Sequence, residues 1–364
     1  MHEVNTFEGF LELRSCWNEV LKRSKDNSVT LTWEHISVSV KNLGKNQYLR
    51  ILYITSGDRI IAIAPLRNSH YKLSRIGYNV VEPLDYGSAT DYTGLIIAEQ
   101  EFECLLTFIT YLHRQNNWDY LCINDIPETS AIISLIATNS KLLPKFEIEK
   151  GEICPYILLP DSMDKFLSNL KPHHRKQLRL GLKNLERDHG KVELNEYYEL
   201  GSLEDAMQLF FDLHQNRWKS KDESGAFSSH KIRNIFMDRA RLFVEKDWLG
   251  LYFLTVNGKP IAVNYALKYN KKLSCCLTGF DTEYSHYSAS NLLLIKIIEK
   301  CINQGFTEYD FMKGEESYKS TWTKKYKTNF SLKLVNKRLS SQLISLCLET
   351  KKRTIDGFLR KLNR

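Results

Sequence analysis

An α/β fold of the α+β layered kind, carried twice in one chain, is predicted from three observations. The first is length, since 364 residues exceed what one hydrophobic core usually organises. The second is a repeated hairpin. Residues 48–66, YLRILYITSGDRIIAIAPL, read as two apolar strands about the turn Ser56-Gly57-Asp58; from residue 249, LGLYFLTVNGKPIAVNYALKY reads as two more about Asn257-Gly258-Lys259. The third is the common order of segments after each hairpin: more strand-like sequence, a helical segment (100–115, then 289–304) and a short strand (Tyr120–Asn124, then Tyr309–Met312).

Between the two copies the chain reads as helical. Ser162 caps a helix over 162–170, Pro172 opens one over 172–188 that stops before Gly190, Ser202 caps a third over 203–219, and a fourth covers 229–245. These signals give an N-terminal domain over 1–155, a C-terminal domain over 156–338 and a helical tail over 339–364 whose periodicity fits packing on the body.

Composition narrows the function classes. An apolar share of 43% supports packed cores, and only 8 Pro and 17 Gly exclude collagen-like and low-complexity chains. No apolar run reaches the roughly 18–20 residues of a membrane helix, and MHEVNTFEGF lacks the layout of a signal peptide, so no transmembrane segment and a cytoplasmic location are expected. The eight Cys show no CxxC or Cys/His spacing, so buried thiols are expected and no metal. The net charge of +8 suits an anionic partner: nucleic acid, a nucleotide-linked substrate, coenzyme A or a membrane surface. It gathers at Lys171–Lys191 and from Lys313 to Arg364.

Residues 272–322 carry the chemistry. A strand over Leu273–Thr278 leads through a tyrosine-rich loop into a helix that Ser288 is expected to cap and Gly305 to end. The free N–H groups and positive dipole end of such a helix hold anions, which makes Ser288, Ser290 and Asn291 candidate phosphate contacts. Beyond the strand Tyr309–Met312 come Lys319 and Tyr318, suited to stabilising an oxyanion, and Glu315, Glu316 and Asp310, suited to accepting a proton from an amine. A turn with solvated charges is the competing reading of the same residues.

Several segments, in order, resemble a known family: WNEVLKRS, the hairpin ending AIAPL, HHRKQLRLGLKNLERDHG, LHQNRW, NGKPIAVNYAL, TGFDTEYSHYSASNLLL and YDFMKGEESYKSTW. Together they resemble the CelD-type GNAT acetyltransferases, often found with polysaccharide-biosynthesis genes and related to the FemABX peptidoglycan acyltransferases. Asp310, Phe311, Gly314, Glu315, Tyr318, Lys319 and Trp322 match the family's last pattern. The resemblance implies a tandem duplicated GNAT (acyl-CoA N-acyltransferase) fold, a degenerate first copy and an acyl-CoA donor, such as acetyl-CoA, bound by the second. It also implies that the loop 284–291, including Tyr287, lies by the CoA pyrophosphate, and that Tyr318-Lys319 lies near the thioester carbonyl. One departure stands out: Ser288-Ala289-Ser290 occupies the place of the family's Ser-Pro-Gly.

The expected reaction is direct attack of an acceptor amine on the thioester, because no GxSxG elbow and no Cys beside a His suggests an acyl-enzyme. The acceptor, a small molecule or sugar-linked amine, is expected between the domains against Arg175, Arg217 and Trp218. Two rivals are FemABX-like transfer from aminoacyl-tRNA to a cell-wall precursor, the one case that calls for nucleic acid, and a catalytically inactive GNAT-fold binding protein.

Overall fold

A computed structural model describes residues 1–85, 90–219 and 224–362, with side chains described as far as residue 350 apart from that of residue 219. The chain divides into two compact units: Met1–Glu152 with the chain from Thr328 onward, and Ile153–Lys327.

The first unit begins with β1 (His2–Val4), α1 (Phe7–Glu12), α2 (Arg14–Arg23) and α3 (Trp33–Lys41). The expected hairpin comes next as β2 (Gln47–Ser56) and β3 (Arg59–Leu73), then β4 (Ile76–Pro83), β5 (Ile96–Ile97), α4 (Glu101–Arg114), β6 (Tyr120–Pro127) and α5 (Ala131–Thr138). β7 (Glu147–Leu158) leads into the second unit, which runs α6 (Met163–Asn169), α7 (Pro172–His189), β8 (Val192–Glu196), α8 (Leu203–Lys219) and α9 (His230–Val244). The second hairpin is β9 (Leu249–Val256) and β10 (Lys259–Tyr269), succeeded by β11 (Lys272–Phe280), α10 (Ala289–Asn303), β12 (Glu308–Asp310) and α11 (Lys319–Trp322). β13 (Tyr326–Val335) and α12 (Leu339–Leu362) complete the chain. Residues 363–364, the end of the expected tail, lie outside the described residues.

The duplication is one of topology as well as pattern. In the first unit β1, β2, β3, β4, β6 and β13 are successive neighbours; in the second the order is β8, β9, β10, β11, β12, β7. Each unit has antiparallel hairpins, then one parallel pair made by a helical crossover: Val80 and Val81 against Tyr120 and Leu121, and Lys272–Ser274 against Glu308–Asp310. The closing strand is antiparallel in both, with β13 beside β6 and β7 beside β12. Thr328–Val335 therefore sits with the first unit, whereas the sequence placed 328–338 with the second. Its partners in β6 lie some two hundred residues earlier, and no local pattern reveals them.

Local chemistry explains the elements. Val256 pairs with Lys259 across Asn257 (φ +47) and Gly258 (φ +81), the two positive-φ residues of a primed turn. Ser162 accepts the Lys165 amide at 3.4 Å and Ser202 that of Asp205 at 3.1 Å, as caps should. β9, LGLYFLTV, is buried at every position because helices cover both its faces, and its sequence is correspondingly apolar without alternation. One face meets the aliphatic core under α7 and α10 (Leu185, Ile261, Ile297, Ile298); the other meets Phe210, Phe227, Phe236 and Tyr265, which pack ring on ring. In the first unit α12 docks through Ile344 on Val80 and Tyr120, and Ser341 donates to Asp119 at 2.7 Å. Among the described residues no helix is long and apolar enough to cross a membrane.

Candidate active site

β11 and β12 pair only as far as Ser274 and Asp310, after which they part. β11 runs on to Phe280, while the other chain stays with β7, Phe311 N–H donating to Pro155 O at 2.9 Å and Gly314 N–H to Ile153 O at 3.0 Å. A cavity of about 240 Å³ opens in the gap. Cys275, Thr278 and Phe280 line one side, Tyr309, Phe311 and Tyr318 the other, and Ser288–Asn291 of α10 the mouth.

The loop after β12 is built to hold Tyr318. Asp310 is fully buried, and its Oδ1 accepts the Met312 amide at 2.8 Å, bending the chain through a left-handed Met312 (φ +60). Lys319, 3% exposed, donates to the carbonyls of Lys313 (2.7 Å), Met312 (3.3 Å) and Gly314 (3.4 Å) and pairs with Glu316 at 2.8 Å. An ammonium has three donors, so these partners saturate it. Neither Lys319 nor Asp310 lines the cavity, and Glu315 is exposed away from it. Of the four residues expected in catalysis, only Tyr318 reaches the gap; Asp310 and Lys319 tie the loop together, and Glu315 is exposed. Burial pushes the Tyr318 hydroxyl far above the usual tyrosine range, against the opposing pull of the Arg217 charge.

At the mouth, Ser288 holds the N-cap position, but in the left-handed region (φ +59) and without a side-chain cap bond. Its carbonyl accepts the amides of Asn291 (2.8 Å) and Leu292 (3.1 Å), which leaves the first-turn amides of Ala289 and Ser290 without an intrahelical acceptor. The preceding stretch is a 3-10 helix, Thr282–Tyr287, rather than an open loop, and it turns Tyr287 away: its hydroxyl donates to Asp188 on α7 at 2.9 Å. Ser288, Ser290 and Asn291 thus line the cavity and Tyr287 does not. Asn291 Oδ1 accepts from the Trp322 indole at 3.3 Å, linking α11 to α10.

The remaining wall comes from α8. A Cβ on Gly279 would lie 2.4 Å from the His214 amide nitrogen and 2.6 Å from its Cα, so β11 and α8 touch backbone to backbone. That contact sets Arg217 over the strand, where its Nη1 donates to Thr278 Oγ1 at 3.0 Å. Trp218 points elsewhere, its indole donating to His214 Nε2 at 3.1 Å. Burial, and secondarily Arg217, push the His214 imidazole down to about 4. Arg175, expected beside Arg217, instead lines a separate cavity between α6, α7 and α10, and its Nη1 donates to Leu167 O at 3.3 Å.

Sequence reasoning missed Asn264. It sits on β10 opposite Thr278, is 2% exposed, and donates from Nδ2 to Cys275 Sγ at 3.1 Å and Tyr309 Oη at 3.2 Å. Its Oδ1 has no partner among the described residues although the side chain lines the cavity. A polar residue within the apolar run PIAVNYAL was the available signal.

With this geometry in place, comparison with known proteins decides the fold. Residues 172–320 match the family model for the acetyltransferase (GNAT) domain. The fold is a tandem GNAT. The chain superposes on FemX with a TM-score of 0.64 at 9% identity, covering 94% of this chain and 100% of that one. L-PGS from Bacillus licheniformis gives 0.54 at 12% identity over 93% and 95%. A tandem GNAT protein from the clavulanic acid biosynthesis pathway gives 0.51 at 9% identity over 92% and 98%. No curated protein matches the sequence significantly. Among the described residues no cluster of His, Cys, Asp and Glu has metal-binding geometry.

Proposed function

We propose that the second unit is an acyl-CoA-dependent N-acyltransferase that moves an acetyl or other acyl group onto the amine of an aminosugar or nucleotide-linked sugar, in polysaccharide or envelope biosynthesis. The observation that carries this reading is the gap between β11 and β12 with the bare first turn of α10 at its mouth. In it, the pyrophosphate rests on the Ala289 and Ser290 amides and the Ser288 and Ser290 hydroxyls, so that Ser290 keeps the N–H a glycine would have offered and adds a hydroxyl. The thioester reaches inward between Cys275 and Tyr318, and the acceptor approaches past Arg217. We take the first unit as the degenerate copy; a cavity of about 20 Å³ in its core has an entirely apolar lining.

The amine nitrogen attacks the thioester carbonyl, a C–N bond forms and the C–S bond breaks. The leaving thiolate takes the Tyr318 proton, and Tyr318 regains one from the new ammonium nitrogen. Burial keeps the Tyr318 hydroxyl protonated at neutral pH but makes it a weaker acid, and the Arg217 charge works the other way by steadying the transient phenolate. The cavity lining contains no carboxylate or imidazole among the described residues, so the amine enters uncharged.

Incubating the full chain with acetyl-CoA and an aminosugar panel, and measuring free thiol, tests this. Release that Tyr318→Phe removes at unchanged melting temperature supports it; no release with any amine leaves a non-catalytic binding protein. Transfer from aminoacyl-tRNA is the second reading, favoured by exposed Lys176, Arg179 and Lys183 along α7. Saturable acyl-CoA binding that tRNA leaves unchanged excludes it.

A further inference from the structure

The second unit has another cavity, of about 540 Å³, between α6, α7 and α10. Its floor is aliphatic: Met163 and Leu167 from α6, Leu178 and Leu182 from α7, Leu292 and Ile295 from α10. Its rim is cationic, with Arg175, Lys176 and Arg179 on α7 facing Lys296 on α10. No carboxylate lines it, and none of these four cations has an acidic partner among the described residues. Many other cations of the unit are paired: Arg187 with Asp188, Lys191 with Glu193, Lys259 with Asp281, and both Lys272 and Lys327 with Glu308.

An aliphatic slot ringed by unpaired positive charge complements a ligand that is itself divided, with a hydrocarbon chain and an anionic head. Nucleic acid fits the rim alone, since no aromatic side chain lines the slot to stack a base and the floor would stay uncovered. We infer that this groove docks the unit on a membrane by taking up an anionic phospholipid, its acyl chain along α6, α7 and α10 and its phosphate among the rim cations. α10 turns Leu292 and Ile295 to this groove and Leu293 and Leu294 to the candidate active site, so the two cavities share one helix.

Sedimentation of the full chain with vesicles tests the inference. Vesicles of phosphatidylcholine and phosphatidylglycerol in equal parts bind, and phosphatidylcholine alone does not. Lys176→Gln/Arg179→Gln/Lys296→Gln weakens partitioning at least about tenfold, while Lys41→Gln/Lys45→Gln/Arg75→Gln, which removes the same charge from exposed positions of the first unit, changes it less than about twofold. Leu182→Asp, read beside a melting curve that shows it folded, loses binding through the floor. Glycerol phosphate in excess fails to displace the vesicles, because a headgroup without a chain leaves the floor empty. Absence of vesicle binding, equal loss in the two triple variants, or displacement by tRNA or by glycerol phosphate overturns the proposal.

Discussion

Lys319 Nζ donates to the carbonyl oxygen of Lys313 at 2.7 Å, and this bond makes the lysine a clamp on its own loop. With Met312, Gly314 and Glu316 as its other partners, no N–H is left for a substrate carbonyl. Lys319→Met therefore strips buried carbonyls of their donor and costs about 2 kcal/mol of stability. Thermal unfolding read beside turnover checks it: activity falls because the fold does, and a variant with full stability but no activity would instead make Lys319 catalytic.

Tyr318 is the complementary case. Tyr318→Phe removes one hydroxyl and keeps the packing, so stability changes by less than about 0.5 kcal/mol while kcat falls on the order of a hundredfold. Burial raises this hydroxyl, so it stays protonated through neutral and mildly alkaline pH. The pH profile of kcat/KM then rises as the acceptor amine loses its proton and shows no fall below about pH 10, the ordinary tyrosine value. A descending limb near neutrality would remove Tyr318 from the proton path.

These two residues show what a sequence discloses. Both hairpins were legible because Asn257-Gly258 and Ser56-Gly57-Asp58 fix turns locally, and α7 because Pro172 and Gly190 punctuate it. The adjacent Tyr318-Lys319 pair was read as one functional unit, yet the partners that separate its members are backbone carbonyls, which no residue pattern displays. Arg175 went astray similarly: the rotation of α7 that carries it into the aliphatic groove depends on packing against α6 and α10. β13 escaped because its partners in β6 are distant in sequence.

Gly279 is where the two halves of the site are pressed together. Gly279→Ala puts a methyl 2.4 Å from the His214 amide nitrogen, a backbone atom that cannot swing aside. A loss of about 3 kcal/mol is expected, and in whatever protein remains folded Arg217 shifts off Thr278, so KM for the acceptor rises more than KM for the donor. Denaturant unfolding with a two-substrate kinetic matrix reads both. A fully stable variant would mean that α8 does not bear on β11 so closely.

His214 links the same contact to pH. Burial lowers its imidazole to about 4 from the ordinary 6.5, so the folded state binds the proton more weakly than the unfolded chain. The associated stability is whole above pH 6.5 and is lost as pH falls through about 4, amounting to at most about 3 kcal/mol. His214→Gln loses less stability than the parent between pH 7 and pH 4, measured by denaturant unfolding at each. Parallel curves for the two proteins would show that His214 titrates normally.

Asn264 offers the sharpest separation of binding from folding. Its Nδ2 is satisfied by Cys275 and Tyr309, while its Oδ1, in a side chain 2% exposed, meets no donor among the described residues. A buried acceptor without a partner costs the free protein about 1–3 kcal/mol, a cost that an N–H of the bound donor would remove. Asn264→Leu keeps the volume and discards the amide, so the free protein is expected to melt at the same temperature or higher. The same change should weaken acyl-CoA binding by roughly tenfold, an energy of about 1.4 kcal/mol. The thermal shift produced by saturating CoA shrinks accordingly. Isothermal titration of parent and variant with CoA, alongside melting curves of the free proteins, measures both. Unchanged affinity would mean that Oδ1 meets no group of the donor, and the cavity would have to seat its ligand through the first turn of α10, Cys275 and Tyr318 without Asn264.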